Sequence, residues 1–225
     1  MKKRKSSPIN TALSLLFFIA LFFFIITFSI ALPIYCRPFY YAHIEPLGLS
    51  ENSGFSVNEI KTSYNEVLDY LTLPNKDFSL SVMKYSYEGK AHFADCKVLF
   101  SLNAWVLLIC AFCLIILLIL KKAGKIPYFR LGKRSSAFYS ALCALILPVI
   151  IGGISAINFS KAFTVFHTIF FKGKTNWIFE PATDEIINVL PQEFFMNCAI
   201  LTGVSIFTFS LILILTEKKR TKKET

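Results

Sequence analysis

The chain has 225 residues, 55% of them hydrophobic and 24 of them Phe, with a mean hydropathy of +0.57. A soluble domain draws about 45–50% of its residues from the apolar set, so the soluble, disordered and fibrous classes are excluded. Lys and Arg number 24 against 14 Asp and Glu, a formal net charge of +10. In a soluble protein that balance would suggest nucleic acid, and here it raises the question of where along the chain the charge lies.

Crossing a bilayer core takes about 20 mostly apolar residues in a helix. Four stretches qualify, at about 11–34, 102–120, 137–159 and 194–215, and none carries a charged residue. The first is too long for a signal-peptide core, and no small-x-small cleavage site follows it. Pro33, Ile34 and Tyr35 before Cys36 do not fit a lipid-anchor site either, so it is read as a retained span. The third contains Pro148 and Gly152-Gly153, which predict a kink or a close helix contact.

The basic residues set the orientation. Fifteen of the 24 lie in three segments: Lys2, Lys3, Arg4 and Lys5; Lys121, Lys122, Lys125, Arg130, Lys133 and Arg134; and Lys218, Lys219, Arg220, Lys222 and Lys223. Those segments contain only Glu217 and Glu224 as acids, a net of +13, whereas the two remaining loops have a net of −3. Both ends are therefore expected in the cytoplasm, with the longer loops, about 35–101 and 160–193, outside. The basic runs are read as this topology signal rather than as nucleic-acid recognition. The expected fold is an all-α membrane protein of four transmembrane helices and two structured outer loops, one integral membrane domain over 1–225. The cytoplasmic segments are too short to hold a site.

In the first outer loop, Ser56-Val57-Asn58-Glu59 fits a capping box. Val57, Ile60, Tyr64, Val67, Leu68 and Leu71 follow at helical spacing until Pro74. This predicts a short amphipathic helix whose apolar residues pack. Phe78 to Met83 alternates weakly and precedes Glu88-Gly89-Lys90, which suggests a short strand or hairpin. From Ala91 the chain is expected to turn helical and feed into the second span. On that helix His92 and Asp95 share a face, and Glu88 lies one turn before His92. A carboxylate beside a histidine can fix its tautomer and support its protonated form.

The second outer loop opens with Phe163 to Phe171, apolar or Thr except for His167, and either continues the third span or lies in the headgroup layer. Trp177 fits an interfacial anchor. Thr183 is placed to cap a short helix with Asp184 and Glu185 in its first turn, Ile186, Ile187 and Leu190 on its apolar side, and Pro191 before the fourth span. All three histidines, His43, His92 and His167, fall outside near membrane ends. His92 and His167 stand out, the first for its acids and the second as a polar ring among aromatics. Cys110 and Cys113 read as small core residues. Cys36 and Cys96, both outside, allow a disulfide without requiring one. No serine-hydrolase elbow, zincin or phosphate-loop motif is present.

Three segments carry a family resemblance. They are Tyr64-Asn-Glu-Val67-Leu68-Asp-Tyr70-Leu71; Glu88-x-x-x-His92-x-x-Asp95-x-Lys97; and Phe166-His167-x-x-Phe170-Phe171 followed by Trp177, Asp184, Ile187, Pro191 and Phe194-Phe195. Together with the span layout they resemble the four-span bacterial lipoprotein intramolecular transacylase (Lit) family over nearly the whole chain. Glu180-Pro181 departs from the Asp-Pro of some members.

The resemblance implies an acyl shift in a bacterial plasma membrane. The substrate would be a diacylglyceryl lipoprotein whose N-terminal Cys amine takes the sn-2 acyl chain, leaving an N-acyl lyso form. It implies His92 as general base and acid, Asp95 or Glu88 orienting it, and His167 positioning the ester or stabilising the oxyanion. Tyr64, Tyr70, Phe166, Phe170, Trp177 and Asp184 would line the substrate. No metal, cofactor, nucleotide or external acyl donor is expected, and the partners would be membrane lipids and the lipoprotein. The main alternative is a non-catalytic membrane accessory or sensor protein with a folded outer patch. A metal-dependent hydrolase and a transporter rank below it, the latter because no ionisable residue lies inside a span.

Overall fold

The computed structural model describes residues 8–126 and 129–223. Of the charges that set the expected orientation, Lys2, Lys3, Arg4, Lys5 and Glu224 lie outside the described residues, as do the side chains of Lys218, Lys219, Arg220, Lys222 and Lys223. The elements in chain order are α1 (Pro8–Tyr35), α2 (Arg37–Tyr41), α3 (Leu49–Ser53), α4 (Val57–Thr72), α5 (Tyr87–Lys122), β1 (Arg130–Leu131), β2 (Arg134–Ser135), α6 (Ser136–Ile157), α7 (Phe159–Phe170), a 3-10 turn (Glu185–Asn188) and α8 (Gln192–Lys223). Four helical stretches are long and apolar enough to cross a membrane: Pro8–Tyr35, Tyr87–Lys122, Ser136–Gly153 and Gln192–Glu217. They leave rows of large apolar side chains exposed, among them Leu15, Ile19, Phe23, Leu108, Phe112, Val149 and Phe207, as lipid-facing helices do.

The described residues group into two compact units, one within 1–30, 104–152 and 203–225, the other within 31–103 and 153–202. In the first unit, small hydroxyl residues join the helices. Ser136 donates to the Ser14 carbonyl and Ser140 to the Phe18 carbonyl, each at 2.9 Å, and Ser29 Oγ donates to Ser205 Oγ at 3.1 Å. In hydrocarbon, apolar burial gives helices little reason to associate, so small residues and cross-helix hydrogen bonds do this work. Phe17 stacks on Phe129 at 4.3 Å, and β1 pairs antiparallel with β2 as a minimal hairpin.

The second unit has its own core. The capping box starts α4: Glu59 N–H donates to Ser56 Oγ, and Ser56 N–H donates to Glu59 Oε2 at 2.8 Å. Ile60, Tyr64, Val67, Leu68 and Leu71 then bury one stripe, and Leu73, restricted by Pro74, turns extended and ends the helix. Tyr40 stacks on Tyr64 at 3.7 Å and donates its hydroxyl to the Val189 carbonyl at 2.7 Å, tying α2 and α4 to the 3-10 turn. Burial raises the pKa of both phenols well above the usual tyrosine range.

Two local expectations change, at the expected hairpin and at the Thr183 cap. Phe78, Leu80 and Met83 are buried in this core while Val82 is exposed, so strict alternation breaks, the segment forms no ladder, and Ser81 N–H donates to Glu66 Oε2 instead. Among the described residues the only strand pairing is β1 with β2. At Gly152 and Gly153 an added Cβ would meet nothing within 4 Å, so of the two alternatives expected there, a kink or a close helix contact, the close contact is not formed among the described atoms. Thr183 does not cap the 185–188 turn. Asp184 takes that position, and its carboxylate bonds elsewhere. Cys36 and Cys96 are free thiols.

Candidate active site

Helix α5 has 36 residues and spans roughly 54 Å, against about 30 Å for a hydrocarbon core. Its first turns, with His92 and Asp95, therefore precede the apolar stretch from Leu102 to Leu120. The start of the helix is fastened from outside. Ser86 Oγ accepts from Gly89 N–H at 2.9 Å. The same hydroxyl and the Ser86 N–H donate to the buried Asp184 carboxylate at 2.8–3.0 Å. Glu185 accepts from Lys84 N–H at 2.8 Å and pairs with Lys84 Nζ at 3.2 Å. A carboxylate at a helix N-terminus also offsets the macrodipole. A Cβ at position 89 would run into the Asp184 carboxylate, which explains the glycine inside this first turn.

His92 is buried on α5. Its ring lies roughly perpendicular to those of Phe171 at 4.8 Å and Phe179 at 5.4 Å. Nε2 lies 3.4 Å from Cys96 Sγ, one turn on, and Nδ1 has no hydrogen-bond partner in the protein. Burial lowers the His92 pKa to about 4, and His167 and Lys174 push the same way against Asp95. Burial pushes the Cys96 thiol up to about 12.

His167, also buried, comes from α7. That helix starts afresh because Asn158 is extended and caps it, its Oδ1 accepting from Lys161 N–H at 2.8 Å. His167 Nδ1 is 2.8 Å from the Phe163 carbonyl. A carbonyl only accepts, so in the neutral ring Nδ1 carries the proton and Nε2 the lone pair. Phe163 at 4.2 Å, Trp177 at 4.8 Å and Phe166 at 5.4 Å pack on this ring. Burial lowers the His167 pKa, partly opposed by the Phe163 bond. The two imidazoles lie 5.8 Å apart between centroids, inclined at 33°.

The acids expected beside His92 are placed differently. Asp95 accepts from Lys174 Nζ at 2.5 Å and from Asn176 Nδ2 at 3.0 Å. Burial favours its protonated form, but the bonds from Lys174 and Asn176 and the Lys174 charge hold its pKa below the usual range. Asp95 thus clamps the segment before Trp177 and reaches His92 only through its field. Glu88 is exposed and makes no hydrogen bond to His92.

The expected substrate-lining residues divide. Phe166 and Phe170 are exposed and lie against each other at 4.6 Å. Trp177 covers His167 and donates Nε1–H to the Lys174 carbonyl at 3.1 Å. Tyr64 belongs to the core. Tyr70 packs on Phe78 at 5.1 Å beneath Lys97 Nζ at 4.3 Å, and neither tyrosine ring packs on the imidazoles. Asp184 acts through Ser86, and His43 bonds the Phe39 carbonyl at 2.6 Å, apart from the pair. Sequence reasoning missed Cys96, Phe171, Lys174, Asn176 and Phe179. Cys96, at i+4 from His92, and Phe171, at i+4 from His167, had a spacing that could have revealed them.

Residues 15–195 match the family model described as lipoprotein intramolecular transacylase Lit. The chain belongs to this family. No curated protein sequence matches it. Among solved structures, the in meso structure of the membrane integral lipoprotein intramolecular transacylase Lit from Bacillus cereus is 24% identical and superposes with a TM-score of 0.85, over 96% of this chain and 97% of that one. Two further structures of the Bacillus cereus protein, with a histidine replaced by arginine or by alanine, give a TM-score of 0.78 each at 24% identity, over 96% of this chain. These superpositions bear out the fold class, a multi-pass membrane protein of four long apolar helices. Family membership makes the chain an acyltransferase-family protein and disfavours the accessory reading.

The depressed histidines have a measurable consequence. An unfolded imidazole takes up its proton near pH 6.5, whereas folded His92 resists until about pH 4. As pH falls through that window the unfolded state binds more protons, and folding stability is lost. Thermal unfolding in detergent is expected to show Tm falling from pH 6.5 towards pH 4, with most of the loss removed in His92→Phe.

Proposed function

We propose that the protein moves the sn-2 acyl chain of a diacylglyceryl lipoprotein from its glyceryl oxygen to the α-amine of the same N-terminal Cys. The observation that carries this is the pair of buried imidazoles, 5.8 Å apart on α5 and α7 and walled by aromatic rings. Amine and ester belong to one molecule, so holding them in register supplies a large effective concentration. The amine attacks the ester carbonyl, an oxyanion forms, one nitrogen-bound proton leaves, and the C–O bond breaks as the glyceryl oxygen gains a proton. No acyl-enzyme is required.

We assign the histidine roles the other way round from those expected from sequence. His167 has its Nδ1–H committed to Phe163, so at neutral pH it offers substrate a lone pair and not a donor. It is the general base, and it returns the proton to the glyceryl oxygen. His92 faces a thiol that stays protonated. With S–H donating to Nε2, its own proton sits on Nδ1, the nitrogen without a partner, where it can stabilise the oxyanion. Exposed Phe166 and Phe170 suit contact with acyl chains. The charge distribution supports cytoplasmic ends and a site at the outer face of a bacterial plasma membrane.

Because both histidines are neutral at pH 7, the substrate amine, with a pKa near 8, governs the rate. kcat/KM is expected to rise through about pH 8 with no step near pH 6.5. A step near 6.5 would contradict neutral imidazoles. The function itself is tested by expressing the protein in a bacterium whose lipoproteins stop at the diacylglyceryl stage, followed by mass spectrometry of their N-terminal peptides. Peptides of unchanged mass with one chain on nitrogen are expected. Unaltered diacyl peptides would reject the reading.

A further inference from the structure

Asn176 is 9% exposed, and its amide orientation is determined. The Asp95 carboxylate can only accept, so the group 3.0 Å from it is the Asn176 NH2. Oδ1 therefore points away from Asp95, and among the described residues it is one of the buried side-chain polar atoms without a hydrogen-bond partner. Leaving such an acceptor unpaired is costly, so its retention calls for an explanation. Its place in the chain supplies one. Its anchor, Asp95, lies one turn after His92 on α5, and the next residue, Trp177, packs on the His167 ring at 4.8 Å. The second orphaned atom in this neighbourhood is His92 Nδ1. The ionised Asp95 also polarises the amide through its NH2, which makes Oδ1 a stronger acceptor.

We propose that Asn176 Oδ1 is a substrate-binding acceptor for the α-amine of the lipoprotein's N-terminal Cys. This rests on the acyl-shift reading and specifies how that site holds its nucleophile. A neutral amine has two N–H groups. One proton passes through the base to the departing glyceryl oxygen, and the other stays on nitrogen and becomes the N–H of the product amide. The second N–H needs an acceptor that is not a base, present from substrate to product. A primary amide oxygen meets that need, whereas a third imidazole or a carboxylate would compete for the proton. Holding one N–H also turns the nitrogen lone pair towards the ester carbonyl.

The test uses the full-length protein in nanodiscs and two synthetic lipopeptides. Both have ether-linked glyceryl chains that cannot be transferred. One has the free α-amine, and the other is its desamino analogue. At pH 8 the wild-type protein is expected to bind the amine-bearing lipopeptide about tenfold more tightly. Asn176→Leu brings that ratio to about one. A purely structural role for Asn176 would weaken both ligands alike and keep the ratio, which overturns the proposal, as does equal binding of the two by the wild type. If Asn176→Leu does not fold, Asn176→Ala, which is smaller and likewise has no side-chain acceptor, is judged by the same ratio. Failure of the acyl-shift reading would show separately, as absence of turnover of the ester lipopeptide by the wild type.

Discussion

His167→Ala is expected to slow the acyl shift by about 10²–10⁴-fold, the range for loss of a positioned general base, with KM changed by no more than a few-fold. His92→Ala should cost about 10²–10³-fold, as removal of an oxyanion donor does. The two act on one tetrahedral intermediate, so the double variant should lose little more than the worse single variant. Single-turnover conversion of a labelled lipopeptide measures all three. Strictly multiplicative losses would mean that the rings serve separate steps, and the 5.8 Å pairing would lose its meaning.

The second large effect is on folding. Gly89 lies where a Cβ would strike the Asp184 carboxylate. Gly89→Ala should therefore destabilise by about 1–3 kcal/mol, as overpacking does, and loosen the Ser86 cap that starts the His92 helix. Asp184→Ala strands the Ser86 N–H and hydroxyl and should itself cost about 2–4 kcal/mol. In the Asp184→Ala background the collision is gone, and Gly89→Ala should turn neutral or stabilising, because Ala favours a helix interior by about 1 kcal/mol over Gly. Unfolding temperatures of the four proteins in one detergent give the cycle. A Gly89→Ala penalty that persists without Asp184 would place the close contact elsewhere.

Local sequence rules carried much of the fold. The Ser56 to Glu59 capping box and the stripe through Leu71 named α4, and long apolar runs named the spanning helices, because these signals need only neighbours along the chain. The hairpin near Phe78 failed since weak alternation there serves burial in a core that takes side chains from α4 and the 185–188 turn, which no local window contains. His92 and His167 were picked out by chemistry, but their meeting joins positions 75 residues apart. The partner of Asp95 was misjudged for a related reason. The i,i+3 rule puts His92 and Asp95 on one face, yet Lys174 and Asn176, from an irregular segment, offer the carboxylate stronger bonds. Asp184, which the motif suggested for substrate, is held by Ser86, and only the Gly89 collision shows how tightly.

A crossover measurement probes the central chemistry most directly. Two diacylglyceryl lipopeptides of different peptide mass, one with isotope-labelled sn-2 chains, are mixed with the purified protein and followed by mass spectrometry. Each chain should reach the amine of its own peptide, with no crossed product and no free fatty acid. Labelled chains on the unlabelled peptide, or fatty acid released to water, would contradict a transfer confined to one molecule between the two imidazoles.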